Sequence, residues 1–171
     1  MYYLLLEIGS YQQLARLNAA VLERLLIGVE NIASQYAGSK LHEEGGRILY
    51  RFSEFDSGEA LSVAHAAVEI REALAEQRDE LAGYSLVVDY VQAGTASEVM
   101  EGLHRTLIRV PEDENAWIGE HAVAAFEPFV RTTGENGPRK LLGLDQEHSE
   151  QLGDVRAFAM DEHAVEAILD E

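Results

Sequence analysis

The sequence predicts one α+β domain, in which a mixed, mostly antiparallel sheet carries helices packed mainly on one face. Strand-type and helix-type apolar patterns alternate along the 171 residues in the order β-α-β-β-α-β-α-β, followed by a helix and a final hairpin. Hydrophobic residues make up 47% of the chain. A chain of this length buries about two thirds of its unfolded surface, so one core is enough to stabilise it.

The first two predicted elements are a buried strand and a long helix. Residues 2–8 form a nearly continuous apolar run, which is typical of a central strand covered on both faces. Apolar residues then recur every three or four positions over residues 10–36, which predicts one helix with a single buried stripe. The stripe consists of Leu14, Leu17, Val21, Leu25, Val29, Ile32 and Tyr36.

A hairpin and a second helix should follow. Residues 40–44 and 47–55 predict two strands joined by the turn Gly45-Gly46, with Ile48, Tyr50 and Phe52 on one face. Asp56 and Glu59 have the spacing of a capping box at the start of the next helix. Its buried stripe comprises Leu61, Ala64, Ala67, Val68 and Leu74.

The remaining elements are shorter. Residues 84–91 predict a strand, and Thr95 with Glu98 repeats the capping pattern ahead of a helix that Pro111 should end. A short strand around Trp117, a helix over 120–129 and closing strands at 140–143 and 155–160 complete the domain. We expect the domain to cover residues 1–160, with a helical extension over residues 161–171.

The charge of the chain limits its partners. It has 31 acidic and 13 basic residues, a formal charge of −18, and such a field repels phosphate backbones and anionic lipid heads. No apolar run approaches the roughly 20 residues needed to span a bilayer. The absence of cysteine excludes disulfides and thiolate ligands and suits a reducing compartment. We therefore expect a cytoplasmic protein that binds neither nucleic acid nor membranes.

Several short motifs in this order resemble the class III adenylate and guanylate cyclase domain. In that family the first strand ends in a metal-binding aspartate within Asp-Ile-x-Gly-Phe, where residues 7–11 here read Glu-Ile-Gly-Ser-Tyr. The family's hairpin turn carries Gly-Asp and a phenylalanine six residues later, which correspond to Gly45, Gly46 and Phe52. The resemblance extends over residues 2 to about 160 and implies a ferredoxin-like, nucleotidyl cyclase-like sheet.

A second family, the diguanylate cyclase domain, shares this core. Its signature Gly-Gly-Asp-Glu-Phe occupies the same turn, where residues 45–49 here read Gly-Gly-Arg-Ile-Leu, so that signature is absent as well. We prefer the first family because the segment after Trp117 continues to match it.

The resemblance implies a vestigial site at Glu7, Gly46 and Arg105. Cyclases of this family hold two divalent ions between carboxylates to activate the 3′ oxygen and neutralise the departing pyrophosphate. Glu7 supplies one carboxylate, whereas Gly46 supplies none. The family also uses an asparagine and an arginine four residues apart on a helix, and here Glu101 precedes Arg105.

The helix register leaves a second pairing open, Gly102 with Thr106, and neither pairing contains the asparagine. The six histidines show no His-x-x-x-His spacing, so we expect them to be surface or packing residues. We expect no catalytic residue, metal or cofactor, and a nucleotide ligand is not favoured.

The favoured interpretation is a non-catalytic cyclase-like module that acts by binding in a regulatory or assembly role. In the family two domains pair head to tail, which implies a protein partner or homodimer here, with Tyr11, Tyr50 and Trp117 as interface aromatics. One alternative is a nucleotide-binding enzyme or a cyclase with rearranged metal ligands. The other is a purely structural interaction domain.

Overall fold

The computed structural model describes residues 1–52, 59–77, 83–110, 116–134 and 137–144. The strands within these ranges are β1 (Tyr2–Ile8), β2 (Gly38–Glu44), β3 (Arg47–Phe52), β4 (Tyr84–Tyr90), β5 (Ala116–Ile118), β6 (Val130–Thr133) and β7 (Arg139–Leu144). The helices are α1 (Tyr11–Leu17), α2 (Ala19–Gln35), α3 (Glu59–Glu76), α4 (Ala96–Arg109) and α5 (Val123–Phe126).

The seven strands form one sheet in the order β2-β3-β1-β4-β5-β7-β6. β1 lies between β3 and β4 and pairs antiparallel with both. β4 and β5 are parallel, because α4 carries the chain back between them. The other pairings are antiparallel. This mixed, mostly antiparallel sheet with its helices confirms the α+β class.

The two faces of the sheet carry separate apolar cores. Side chains alternate along β1, so Leu4 and Leu6 join the core beneath α2 and α3, while Leu5 faces the other way. Leu5 packs with residues of α4, including Leu103. α1 and α5 contribute to the first core, and α4 supplies all the helical residues of the second within the part of the chain that the structure describes. α4 therefore packs on the face of β1 that carries its odd-numbered residues.

The single helix predicted for residues 10–36 is wrong in one respect, because the chain forms two helices. Asn18 separates them with φ −149° and ψ 58°, outside the helical region. Because of this break, the buried positions of the second helix do not continue the stripe of the first. Leu17 is 71% exposed, whereas Leu22 is buried together with Leu25 and Val29.

The helix predicted for residues 120–129 is also shorter than expected. It covers only Val123–Phe126, and the chain then forms strand β6, which the sequence analysis missed. Pro128 cannot donate a helical hydrogen bond, which limits the helix. The β-branched residues of Val130–Thr133 were the available signal for the strand.

The other predictions fall into two groups. The hairpin, the strand at 84–91, the strand at Trp117 and the strand at 140–143 are confirmed to within a few residues. The Thr95 cap of α4 is confirmed, since its Oγ1 accepts a hydrogen bond of 3.2 Å from the backbone N–H of Glu98. Asp56, the strand at 155–160 and the extension at 161–171 lie outside the described residues.

Candidate functional site

Glu7 lies at the end of β1, on the face that α4 covers. The β1–β3 register places it directly opposite Arg47, the first residue after the glycine turn. The Arg47 guanidinium Nε is 3.7 Å from Glu7 Oε2, and its Nη1 is 3.3 Å from Oε1 of Glu101 on α4. The protein therefore places one of its own cations against the carboxylate that the sequence analysis assigned to a vestigial metal site.

His104, also on α4, completes this cluster. Its Nδ1 is 2.6 Å from Glu7 Oε2, and its Nε2 is 3.0 Å from Arg47 Nη2. Arginine only donates hydrogen bonds, so Nε2 must accept and the imidazole proton resides on Nδ1, which donates to Glu7. We call Glu7, Arg47, Glu101 and His104 the Arg47 cluster.

Gly46 leaves no space for a side chain. Its φ is +88°, and a Cβ built on it would lie 2.6 Å from Tyr11 Cβ and 3.2 Å from the carbonyl oxygen of Ile8. Gly45, the other residue of the turn, has φ +57°, and apart from its chain neighbours no described residue has an atom within 4 Å of such a Cβ. Two positive φ angles are the geometry of a type I′ turn, which glycine adopts without strain. The position that resembles the second metal carboxylate is therefore closed by local packing.

Arg105 lies apart from the other predicted site residues. It is exposed on α4 and lines a groove to which Glu101 and His104 do not contribute. The structure thus brings Glu7 and Gly46 to the same end of the sheet but does not join Arg105 to the Arg47 cluster.

Two of the three predicted interface aromatics are buried within this chain. Tyr50 is 1% exposed in the core beneath α2 and α3, and Trp117 is 7% exposed in the core beneath α4. The two side chains lie on opposite faces of the sheet, the first beneath α2 and α3 and the second beneath α4. Tyr11 remains partly exposed, and its hydroxyl donates to Glu43 at 3.4 Å.

A second polar group lies where β4 and β5 end. Asp89 is 5% exposed, and its Oδ2 is 3.2 Å from Nδ1 of His121, in the loop after β5. Its Oδ1 accepts a 2.9 Å hydrogen bond from the backbone N–H of Tyr90. Burial raises the pKa of the Asp89 carboxyl, while the bonds from Tyr90 and His121 act in the opposite direction.

Sequence reasoning missed the partners in both groups. In the sequence, Arg47 stands out only as a departure from a family signature, and the histidines lack the spacing of metal ligands. The Glu101 and His104 pair, three residues apart on one helix, was a signal that they share a face. Nothing in the sequence joined Asp89 to His121.

Two further properties bear on chemistry. Over the ranges that the structure describes, no three histidine or acidic side chains are grouped so as to hold a metal ion. In the same ranges, every helix is too short or too polar to cross a membrane.

The fold resembles guanylyl cyclase domains of known structure. The monomeric domain of the RhoGC fusion protein from the aquatic fungus Blastocladiella emersonii has a TM-score of 0.68 at 15% identity, over 84% of this chain and 95% of that domain. A dimeric form of that domain gives 0.67 at 13% identity, over 85% and 94%. The domain of RhGC from Catenaria anguillulae, in complex with GTP, gives 0.64 at 11% identity, over 84% and 96%.

These identities establish a cyclase-like fold and nothing further. None of the curated proteins compared with the sequence matches it. Residues 1–132 match the family TP_0123_N, described as an N-terminal domain. Since that match covers most of the chain, the protein belongs to the TP_0123_N family and has a nucleotidyl cyclase-like fold.

Proposed function

We propose that this protein is a non-catalytic cyclase-like module that acts by binding another domain in a regulatory or assembly role. The observation that carries the proposal is the Arg47 guanidinium, which is held by Glu7, Glu101 and His104. The resemblance to cyclases implies that divalent ions sit beside the carboxylate at the end of β1. A fixed guanidinium repels a divalent cation and already satisfies that carboxylate.

Gly46 supports the same conclusion independently. A two-ion site needs a second carboxylate near the first, because hard divalent ions need several oxygen ligands. The contact between Gly46 and Tyr11 excludes a side chain at the position that resembles that ligand. The proposal is therefore that binding, rather than cyclisation, is the role of this domain, in a cytoplasmic setting that a cysteine-free chain suits.

A homologous domain or a second copy of this chain is the proposed partner. One of the similar guanylyl cyclase domains is dimeric. Tyr11 is the remaining candidate for an aromatic anchor, since it is partly exposed beside the glycine turn. The net charge of −18 opposes self-association, although about 0.15 M salt screens charges beyond roughly 8 Å.

The first experiment tests catalysis. Incubation with ATP or GTP and Mn²⁺, with products read by mass spectrometry, should yield no cyclic nucleotide, and titration calorimetry should show no Mn²⁺-dependent nucleotide binding. Glu7→Gln is the matched control. Product that forms with the natural chain and disappears with Glu7→Gln would overturn the proposal and favour a cyclase with rearranged ligands.

The second experiment tests pairing. Sedimentation velocity at low and high salt should show concentration-dependent dimers that salt strengthens, and Tyr11→Ala should weaken them. A monomer at high micromolar concentration in high salt would exclude the homodimer. If neither a second copy nor a homologous domain binds, a purely structural role would replace the proposal.

A further inference from the structure

A groove of about 920 Å³ lies between α4 and the loops that follow β4 and β5. These two strands are parallel, with Val88 beside Ile118, so both loops leave the same edge of the sheet. The loops splay apart at the carboxyl ends of parallel strands, and such crevices are common ligand sites in α/β sheets. Gly102, Arg105 and Thr106 of α4 line the groove, whereas the residues of the Arg47 cluster do not.

Asp89 and His121 form the polar end of this groove. Asp89 is buried, and its carboxylate accepts a 3.2 Å hydrogen bond from Nδ1–H of His121. The His121 side chain is 67% exposed. With the proton fixed on Nδ1, the other ring nitrogen, Nε2, is an acceptor available to a ligand. Gly119 makes this arrangement possible, because a Cβ there would lie 2.2 Å from Asp89 Oδ2.

Arg105 and Arg109 supply positive charge one helical turn apart along the same groove. Neither makes a hydrogen bond or ion pair with another residue in the part of the chain that the structure describes. Glu98 and Glu120 also line the groove, and together with Asp89 they give three acidic side chains against two arginines. This balance disfavours a polyphosphate, because its several negative charges would face the three acidic side chains, and leaves the two arginines as the place where a single carboxylate could bind.

We propose that the groove binds a small organic acid with one carboxylate, an apolar body and a hydroxyl or ammonium donor. The carboxylate meets Arg105 and Arg109, whose guanidinium groups suit bidentate contact. The body lies against apolar lining residues such as Val91 and Leu103. The donor meets Nε2 of His121, which Asp89 orients. This site is separate from the Arg47 cluster and does not depend on the proposed pairing function.

Two probe acids that differ by one hydroxyl test the proposal. We expect millimolar affinity, so the full chain is titrated with 3-phenyllactate up to about 10 mM and followed by NMR. The His121 ring resonances should shift and reach saturation. 3-Phenylpropionate lacks the hydroxyl and should bind about fivefold more weakly, the usual effect of one hydrogen bond. His121→Ala, with binding followed through the backbone amide resonances of the groove residues, should abolish that difference. Inorganic phosphate should bind more weakly than either acid.

Three variants complete the test. Arg109→Gln should weaken both acids about tenfold, the effect of one charge-assisted hydrogen bond. Arg24→Gln, which alters an exposed arginine of α2 on the opposite face, should leave binding unchanged. Gly119→Ala should displace Asp89 and reduce the preference for the hydroxy acid. The proposal fails if neither acid gives saturable shifts, if phosphate binds as tightly, or if Arg24→Gln weakens binding as much as Arg109→Gln.

Discussion

Replacement of Gly46 by alanine should destabilise the protein by about 2–5 kcal/mol. The backbone φ of +88° places an L-residue in the left-handed region, which costs roughly 1–2 kcal/mol. The new Cβ would also lie 2.6 Å from Tyr11 Cβ and 3.2 Å from the Ile8 carbonyl oxygen. Forcing a methyl group into such a packed position costs about 1–3 kcal/mol more. Urea denaturation followed by circular dichroism measures the total.

Gly45→Ala is the matched control for this experiment. Gly45 shares the turn and has a positive φ of +57°, but beyond its chain neighbours no atom of the described ranges lies within 4 Å of its Cβ position. Its replacement should cost only the backbone strain, roughly 1–2 kcal/mol. Tyr11→Gly removes the clashing Cβ, so the Gly46→Ala cost should shrink by at least about 1 kcal/mol in that background.

Equal losses for Gly45→Ala and Gly46→Ala would refute the packing argument. The turn would then have room for a side chain, and an aspartate at position 46 would be sterically acceptable. A Gly46→Ala cost that Tyr11→Gly leaves unchanged would assign the effect to the backbone alone. In either case, closure of this position would no longer support the proposed loss of catalysis.

Three other predictions concern the cores and the buried charges. Leu25→Ala, at a side chain only 6% exposed, should cost about 2–5 kcal/mol, whereas Leu17→Ala, at 71% exposure, should change the free energy of unfolding by less than about 0.5 kcal/mol in the same urea titration. Burial raises the folded-state pKa of Asp89 above its ordinary 3.8, so folding favours the protonated carboxyl. The contribution of this group to stability is therefore present below its unfolded-state pKa and is lost as pH rises through its folded-state pKa. Asp89→Asn should remove this slope, which paired unfolding curves between about pH 3 and pH 7 would detect as a difference from the natural chain. Arg47→Gln should lower the free energy of unfolding by about 1 kcal/mol, because Glu7 is only 23% exposed and loses its cation. Thermal unfolding should show a smaller loss of stability in high salt, and no loss at low salt would contradict the ion-pair assignment.

Local chemistry determined much of the fold. The apolar run of β1, the glycine pair of the hairpin turn and the Thr95 cap of α4 each depend on residues close together in sequence. The mostly antiparallel sheet followed from the order of such elements. The three-to-four-residue periodicity of apolar residues was a less reliable guide to burial. One non-helical residue, Asn18, ends the first helix, so the buried positions of the next helix do not continue the same stripe.

Only the tertiary structure decided which side chains meet. Glu7 and His104 are 97 positions apart and come together because α4 packs on the face of β1 that carries Glu7. Arg47 reaches the same point because a two-residue turn sets the register of β3 against β1. Tyr50 and Trp117 look alike in sequence, but the helices that cover each face place both in the monomer's core. Spacing along a chain specifies the face of an element, whereas the layer that covers that face depends on long-range packing.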